Sequence, residues 1–446
     1  MHAQTDVRSE VTFQQDKSIT MGAFAKACLD EGLGRRSFER LIEAIDTQVV
    51  RKRCGKKYTR GNGTRRYQRA GTAEKQIVTV FGSSTITLSY IKDTDAEPDE
   101  QTYYRPIEEF LEFNGIKRYQ QCISTDAATI ALDATYRTAT AFGNCFTSMP
   151  SPATINRRVI EFGQTVTQHL STVIDGRNVE SVIADSTKVY SQEDDAFHEV
   201  NLTISRDGVG DSHETTVLDV NVNTAWETTA TKLSEKDVIA PEAALVSDGD
   251  SSLVEAFLPV LQTHQYDLVH LPRALGHTLW EDGQLPLGER KAYTAEVLGD
   301  VLHLKNSVAL HAPAEEWDAI RHRIKMTTDR LERTIHHLRL DGCHRSASFL
   351  RKWLSSLRRF AEAALEERTI PWTSNAVERA MGSVSKRCKN KWMRWTEAGL
   401  DALLTLRQVR NSHPDLFELI VGEEIGLPTT TAITLEMKSG SIRDEF

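Results

Sequence analysis

Five β-strand patterns between residues 181 and 270 constrain the fold of this chain more than any other feature. The first three predicted strands, over residues 181–187, 199–204 and 216–222, are rich in β-branched residues and are spaced for an antiparallel meander. A fourth strand over 244–250 precedes a helical pattern over 251–264, and a fifth over 266–270 leads into a further helix. This succession predicts a mixed α/β core.

The order of these elements is typical of a ribonuclease-H-like core, and acids occupy informative places in it. Asp185 ends the first strand, and Asp248 lies just beyond the fourth. Asp185 alone is equally well explained as a turn residue at a strand end. Asp250 competes with Asp248 and could equally cap the helix that follows.

A third acid, Glu378, lies on the first turns of a late helix. Thr373 is expected to cap this helix, which should run to about Arg387. A single acid at this place is often only a partner for the helix dipole. In a ribonuclease-H-like sheet, however, a packed helix can bring it to the adjacent ends of the first and fourth strands.

Three clustered carboxylates repel one another unless a cation neutralises them. Oxygen ligands without Cys or His select Mg²⁺ or Mn²⁺. Two such ions about 4 Å apart activate a water or a 3′-hydroxyl for in-line attack on phosphorus. We therefore expect Asp185, Asp248 and Glu378 to be the catalytic residues and the ligands of two Mg²⁺ or Mn²⁺ ions.

Positive charge is segregated, although the net charge of the chain is −9. Between residues 51 and 69 there are nine basic residues and no acid, which favours contact with a DNA backbone over a solvated basic turn. These residues are Arg51, Lys52, Arg53, Lys56, Lys57, Arg60, Arg65, Arg66 and Arg69. They follow a predicted helix over residues 21–50.

A predicted β-hairpin over residues 77–90, with Gly82-Ser83 as its turn, separates the basic arm from a helical region over residues 105–170. Ser151 is a suitable cap and Pro152 a suitable first residue for the last helix of that region. The pattern indicates a helix-turn-helix whose third helix exposes Asn156, Arg157 and Arg158 to DNA. An ordinary three-helix packing unit explains it nearly as well.

Residues 287–370 are almost wholly helical by periodicity, over 292–303, 317–340 and 346–367, and indicate an all-α insertion before the helix of Glu378. Basic and aromatic residues follow Glu378. The predicted DNA-binding residues there are Lys386, Arg387, Lys389, Lys391, Trp392 and Arg394. Trp395 is expected to pack into the core, and Arg379 either holds a phosphate or pairs with Glu378.

The motifs around the three acids resemble DDE transposases of bacterial and archaeal insertion sequences, especially the Mutator-like superfamily and a haloarchaeal-type branch. They are Val-Ile-Ala-Asp-Ser-Thr at 182–187, Val-Ser-Asp-Gly-Asp at 246–250 and Trp-Thr-Ser-Asn-Ala-Val-Glu-Arg at 372–379. The resemblance spans about residues 67–410 and implies that Asp185, Asp248 and Glu378 are the metal-binding triad.

The family also tends to have a Cys-x-x-His pair after the second Asp. Here His270 matches, whereas Asp267 stands in the place of the Cys. The resemblance therefore implies that His270 assists at the site, and the alternative is a buried, hydrogen-bonded histidine.

The expected organisation has six segments. An N-terminal helix, basic arm and hairpin occupy 1–100, and a helix-turn-helix-like region occupies 101–172. The first part of the core occupies 173–286, the helical insertion 287–370, the final core helices 371–422 and a tail 423–446. The chain shows no apolar run of membrane length, no secretory signal and no CxxC pair.

Together these patterns predict a transposase in the cytoplasm, associated with the nucleoid. Its partners would be double-stranded DNA, at terminal inverted repeats and at the target, and further copies of itself in a homodimer or higher oligomer. The alternatives are a nuclease with the same core but no strand transfer, and a non-catalytic DNA-binding protein derived from a transposase.

Overall fold

The computed structural model of the chain describes residues 6–12, 19–30, 33–55, 66–96, 101–114, 117–207, 214–389, 393–426 and 434–440. It is of the mixed α/β class, as predicted. The chain divides into two compact units: the first unit is Met1–Phe162 with Asp415–Phe446, and the second unit is Gly163–Pro414. None of the helices in the described ranges is long and apolar enough to cross a membrane.

Up to residue 174 the elements, numbered in chain order, are β1 (Asp6–Thr12), β2 (Ile19–Thr20), α1 (Met21–Asp30), α2 (Arg35–Arg53), β3 (Tyr67–Thr79), β4 (Gly82–Asp93), β5 (Tyr103–Tyr104), a 3₁₀ turn (Pro106–Glu109), β6 (Leu111–Glu112), α3 (Gln121–Ala131), α4 (Tyr136–Gly143) and α5 (Pro152–Ile174).

The remaining elements are β7 (Val179–Ser191), β8 (Ala196–Asp207), β9 (Glu214–Val222), α6 (Trp226–Glu235), β10 (Ile239–Ser247), α7 (Ser251–Leu261), β11 (Thr263–Tyr266), α8 (Leu271–Asp282), α9 (Leu287–His311), α10 (Trp317–Leu340), α11 (His344–Trp353), α12 (Arg359–Leu365), α13 (Asn375–Cys388), α14 (Glu397–Ser412), α15 (Pro414–Ile425) and β12 (Thr434–Gly440).

In the first unit, α1 and α2 pack against the β3–β4 hairpin around a buried apolar cluster. The hairpin is longer than predicted, and its turn is Val80-Phe81 rather than Gly82-Ser83. The ring of Phe81 stacks on that of buried Phe38, with ring centroids 4.5 Å apart. Burial of this aromatic residue therefore outweighs the turn preference of the glycine that follows it.

The single helix predicted over residues 21–50 is two helices, because Gly34 adopts an extended conformation and begins α2 as its N-cap. The predicted helical start near residue 107 is instead a 3₁₀ turn followed by β6, which pairs with β2. The three helices α3, α4 and α5 follow in the predicted order. The hydroxyl of Ser151 accepts a hydrogen bond from Thr154 N at 3.3 Å, as expected of a cap before Pro152.

The second unit is built around a five-stranded sheet with the order β11-β10-β7-β8-β9. Strands β7, β8 and β9 form an antiparallel meander, and β10 and β11 add to the other side of β7 as parallel strands. The predicted meander and fourth strand are thus present. The fifth strand ends at Tyr266 rather than His270, because Asp267 accepts the backbone N–H of Val269 and turns the chain.

Helices cover this sheet and position the residues discussed below. Helix α13 packs against β7 and β8, α14 against β9, and α7 against β10 and β11. Their buried positions are apolar at helical spacing, as in Val377, Met381 and Val384 of α13. Helix α13 begins after Ser374, one residue later than the predicted cap at Thr373.

The helical stretch from α8 to α12 forms a separate layer of packing within the second unit. Helices α9, α10 and α11 contact one another in succession, and α11 returns to α8. Their shared interior holds residues such as Val301, Leu304, Leu331 and Ile335, all fully or almost fully buried. The predicted helix over 346–367 is divided into α11 and α12.

Two helical glycines of the second unit predict stability changes of opposite sign. A Cβ on Gly163 of α5 would lie 2.5 Å from the Cβ of Ala402, whereas a Cβ on Gly276 of α8 would meet nothing within 4 Å. We expect Gly163→Ala to lower the free energy of unfolding by about 1–3 kcal/mol through overpacking. Gly276→Ala should raise it by about 0.5–1 kcal/mol through helix propensity. Chemical denaturation of both variants measures this, and a stabilising Gly163→Ala would contradict the packing of α5 on α14.

Candidate active site

Three acids lie side by side on three neighbouring parallel strands: Asp185 lies within β7, whereas Asp248 and Asp267 directly follow β10 and β11. The prediction that Asp185 ends its strand is wrong, because β7 continues in pairing with β8 to Ser191. In the pairing of β10 with β7, Val246 is opposite Ile183, so two residues further Asp248 comes opposite Asp185. In the pairing of β10 with β11, Ser247 is opposite Tyr266, so one residue further Asp267 comes beside Asp248. The backbone N–H of Asp267 donates to Ser247 O at 2.8 Å, which continues this register. The parallel ladder therefore gathers the acids at one edge of the sheet.

Helix α13 brings the fourth acid to this edge. Glu378 lies in its first turn, next to Val377, which is buried. The Oε1 atom of Glu378 is 3.0 Å from Nε2 of His270, and both side chains are 36% exposed. The alternative for His270 was a buried, hydrogen-bonded histidine; it is paired with Glu378 but only half-buried.

The carboxylates influence one another electrostatically. Burial raises the pKa of Asp185 to about 6, the backbone N–H of Ser186 opposes this, and the charges of Asp248 and Glu378 raise it further. Ser186 N donates to Asp185 Oδ1 at 2.7 Å. An ionised Asp185 is therefore costly without a nearby cation, and its oxygen donors suit Mg²⁺ or Mn²⁺.

The tightest group of potential ligand atoms is not the predicted triad. Among the described residues, one atom each of Asp267, His270 and Glu378 lie within 4.8 Å of one another. Asp185 and Asp248 are outside this group, although their charges act on each other. The structure thus gathers Asp185, Asp248 and Glu378 in one region but not as a closed set of ligands.

Of the two neighbouring acids Asp248 and Asp250, the second caps α7, which was one of its expected roles. Asp250 Oδ1 accepts hydrogen bonds from Ser252 N at 2.9 Å and Leu253 N at 3.1 Å. The side-chain bond to Ser252 is the main cause that lowers the pKa of Asp250. Asp250 is the helix cap, and the exposed Asp248 has no such role.

The loop that carries Asp248 is held by close packing at Gly249. This glycine has a φ of +85°, and a Cβ there would lie 2.6 Å from Cε2 of Tyr266 and 3.2 Å from Cζ2 of Trp353. Only glycine adopts this conformation and fits this space without strain. Trp353 is buried, as expected for a core residue, and it belongs to α11 of the helical stretch.

The basic residues after Glu378 have different environments. Lys386, Lys389 and Arg394 are exposed, and Lys389 Nζ donates to Thr187 Oγ1, two residues beyond Asp185 on β7. Arg387 differs from the predicted DNA-facing position, because it is 5% exposed and its guanidinium lies 5.2 Å from the ring centroid of Trp395. Trp395 is buried as expected. Lys391 and Trp392 lie outside the described residues.

Arg379 is exposed, and no ion pair joins it to Glu378 among the described residues. Burial first, and then the positive charge of Arg379, lower the pKa of Arg206 on β8. The two arginines therefore place positive charge close together on β8 and α13. The expected alternative, a pairing of Arg379 with Glu378, is not found there.

The N-terminal basic residues are partly neutralised by acids distant in sequence. Arg53 pairs with Glu109, and Arg66 pairs with Asp93 at 2.9 Å. The remaining basic residues of this arm are Arg51, Lys52 and Arg69, which are exposed, and Lys56, Lys57, Arg60 and Arg65, which lie outside the described residues. Acids elsewhere in the chain therefore supply counter-charge to residues 51–69, although this segment itself contains no acid.

The predicted DNA-recognition residues of α5 also have different environments. Arg157 is exposed and Asn156 is half-buried. Arg158 is bound within the first unit, since its guanidinium contacts Glu424 and donates to Thr125 Oγ1 at 3.2 Å. Arg158 is therefore committed to internal contacts rather than presented to a ligand.

Asp267 is the residue of this region that the sequence interpretation missed. It was noted only as a departure from a Cys-x-x-His pair, yet its side chain is fully buried between β11 and α13. A signal was present in the sequence, namely an acid three residues before His270. Comparison with protein-family models gives no match, and comparison with curated proteins gives none either.

The raised pKa of Asp185 predicts a pH-dependent effect of its removal. A carboxyl whose folded pKa is raised favours the folded state below its unfolded pKa of 3.8, and this contribution is lost as the pH rises through about 6. Asp185→Asn is uncharged at every pH. In metal-free protein we expect it to gain up to about 3 kcal/mol of unfolding free energy relative to wild type between about pH 4 and pH 7.5.

Urea denaturation in the presence of a chelator measures this difference at the two pH values. The control is Asp318→Asn, since the Asp318 side chain is 98% exposed. A pH-independent difference between Asp185→Asn and wild type would contradict the burial of Asp185 among other carboxylates.

Proposed function

We propose that the chain is a metal-dependent enzyme of phosphoryl transfer with a ribonuclease-H-like core. Two features support this class. The strands lie in the sheet in the order β11-β10-β7-β8-β9, which is fifth, fourth, first, second and third along the chain. Only the second strand, β8, is antiparallel to the strands on both of its sides. Carboxylates lie within the first strand, at Asp185, and directly after the fourth, at Asp248.

Within that class, we favour a DDE transposase that binds the terminal inverted repeats of its insertion sequence, cleaves the strand at the element end and joins it to target DNA. The observation that carries this proposal is the meeting of Asp185, Asp248 and Glu378 from two adjacent strands and a later helix. Glu378 follows the helical stretch α8–α12, as the resemblance to these transposases implies.

In the proposed mechanism, Asp185, Asp248 and Glu378 would hold two Mg²⁺ or Mn²⁺ ions. Bound there, the ions would supply Lewis-acid activation of a water or 3′-hydroxyl and charge stabilisation at the phosphorus. Half-buried Asp185 supplies an anionic ligand whose repulsion by its neighbours is relieved on binding. His270 fixes one oxygen of Glu378 by its 3.0 Å contact and so orients the other.

The DNA backbone would pass beside α13. Arg379, Lys386, Lys389 and Arg394 are exposed there, and Lys389 reaches across to β7 beside Asp185. In the first unit, exposed Arg51, Lys52, Arg69 and Arg157 would hold the terminal repeat. Because two element ends must be joined to one target, the protein would act as a homodimer or higher oligomer. With DNA as its partner, the protein would act in the cytoplasm, at the nucleoid.

Single replacement of the triad tests the chemistry. We expect Asp185→Asn, Asp248→Asn and Glu378→Gln each to lower the rate of Mg²⁺-dependent cleavage at least about a thousandfold, because each loss removes several kcal/mol of charge stabilisation. Binding of terminal-repeat duplex should remain within about threefold. Asp250→Asn is the matched control, since asparagine also caps helices well, and it should cleave at nearly the wild-type rate.

Cleavage at the wild-type rate by the Asp248→Asn variant would contradict the assignment. A pre-cut repeat end with a 3′-hydroxyl separates transposase from nuclease. Joined product with supercoiled target DNA supports the transposase, whereas cleavage without any joining identifies a nuclease. Repeat binding with neither activity in wild-type protein identifies a non-catalytic DNA-binding protein.

The basic surface of α13 makes a separate prediction about salt dependence. Replacing both Lys386 and Lys389 by glutamine should weaken duplex binding and reduce the slope of log affinity against log salt by about two, since about one counterion is released per phosphate contact. The control replaces exposed Lys291 and Lys325 of the helical stretch, which removes the same charge. Equal effects of the two double variants, measured by fluorescence anisotropy, would show that only net charge matters.

A further inference from the structure

Asp267 carries a fully buried carboxylate at the edge of the candidate active site. A buried carboxylate is costly unless hydrogen bonds replace its water. Three donors do so: Val269 N donates to Oδ1 at 2.7 Å, Ser374 N donates to Oδ2 at 3.0 Å, and the hydroxyl of Ser374 also donates to Oδ2. Two of these donors come from the start of α13, which is 107 residues away in sequence.

The hydrogen bond from the Ser374 hydroxyl to Asp267 is unusual for a residue that caps a helix. Ser374 is the N-cap of α13, yet its hydroxyl makes no capping bond to the backbone of the first turn. A serine at an N-cap ordinarily accepts a hydrogen bond from such an amide. Here the hydroxyl donates to Asp267 instead. The helix therefore begins against a negative charge, which the helix dipole favours at this end.

A backbone bond reinforces this junction. Leu268 N donates to Trp372 O at 3.1 Å, so the segment after β11 and the segment before α13 are joined on both sides of Thr373. Two attachment points fix both the position and the direction of the first turn. Glu378 lies one helical turn after Ser374, so the same two attachment points fix the direction in which its side chain leaves the helix.

Both neighbours of the Glu378 carboxylate are themselves attached to Asp267. The Ser374 hydroxyl is 3.5 Å from Glu378 Oε1. His270, which contacts the same oxygen at 3.0 Å, donates its backbone N–H to Asp267 O at 3.2 Å. Asp267 thus holds Ser374 and His270, the two residues that contact Oε1 of Glu378. The direction of the other carboxylate oxygen is then set by helix α13.

The closeness of Asp267, His270 and Glu378 also suits a direct ligand role for Asp267, but its hydrogen bonding argues against that. Its two oxygens offer about four acceptor positions, and three donors already use them. We propose that Asp267 is a positioning residue, which fixes the N-terminus of α13 and thereby the distance of Glu378 from Asp185 and Asp248. This inference rests on the proposed metal site.

The chain contains a matched control for this junction. Asp282 accepts Arg345 N and Ser346 N, each at 2.9 Å, and the hydroxyl of Ser346 at 2.7 Å, at the start of α11. It is the same arrangement of a carboxylate with the N-H and hydroxyl of a serine at a helix N-terminus. No proposed metal ligand lies on α11, so Asp282→Asn repeats the structural loss without moving Glu378.

The test measures Mn²⁺ binding by the full-length protein, by electron paramagnetic resonance of the free ion, together with thermal unfolding. Loss of a residue that orients a metal ligand typically weakens metal binding about 10- to 100-fold. We expect Asp267→Asn to raise the Kd for Mn²⁺ at least about tenfold and Asp282→Asn to change it less than about twofold. Both substitutions should lower the unfolding temperature.

Ser374 provides a second pair of variants that does not depend on Asp267→Asn folding. Ser374→Ala should raise the Kd for Mn²⁺ by about threefold, and Ser374→Thr, which keeps the hydroxyl, should restore it. Equal Mn²⁺ affinities of Asp267→Asn and Asp282→Asn would overturn the positioning role. So would a complete loss of binding in Asp267→Asn equal to that in Asp185→Asn, which would make Asp267 a ligand. Absence of Mn²⁺ binding by wild-type protein would instead overturn the proposed metal site itself.

Discussion

The parallel pairing of β10 with both β7 and β11 is the constraint on which the rest of the second unit depends. Because parallel strands run in the same direction, residues at matching positions of neighbouring strands lie in one row across the sheet. Asp185, Asp248 and Asp267 stand in that row. Their surroundings differ, since Asp248 is exposed, Asp185 is partly buried among like charges, and buried Asp267 accepts hydrogen bonds from Val269 and from Ser374 at the start of α13.

The features that were predicted well from the sequence depend on local residue patterns. The meander of β7, β8 and β9 follows from runs of β-branched residues, and α10 was predicted with the observed bounds because its apolar spacing is continuous. Asp185, Asp248 and Glu378 were recognisable because each lies in or directly after a strand pattern or in the first turn of a helix. Their assignment as metal ligands remains a prediction, although the structure brings their charges within reach of one another.

The features that escaped prediction depend on partners far apart in the chain. The burial of Asp267 requires Ser374, and the neutralisation of Arg66 requires Asp93 on the opposite strand of the hairpin. Arg387 lies on a helix that looks basic in sequence, yet it stacks on Trp395 inside the protein. A count of charges along a segment assumes that every charge faces water, and tertiary contacts remove that assumption.

The separation of Asp248 and Glu378 in the sequence also determines when each of them is synthesised. The whole helical stretch α8–α12 must leave the ribosome between them, and Trp353 of that stretch packs against Gly249 next to Asp248. At about 5–20 residues per second, the row of strand acids exists on the order of ten seconds before α13 is synthesised. A nascent or prematurely terminated chain that lacks α13 therefore carries an incomplete set of carboxylates, and any cutting of DNA by the proposed site must wait until α13 has been synthesised.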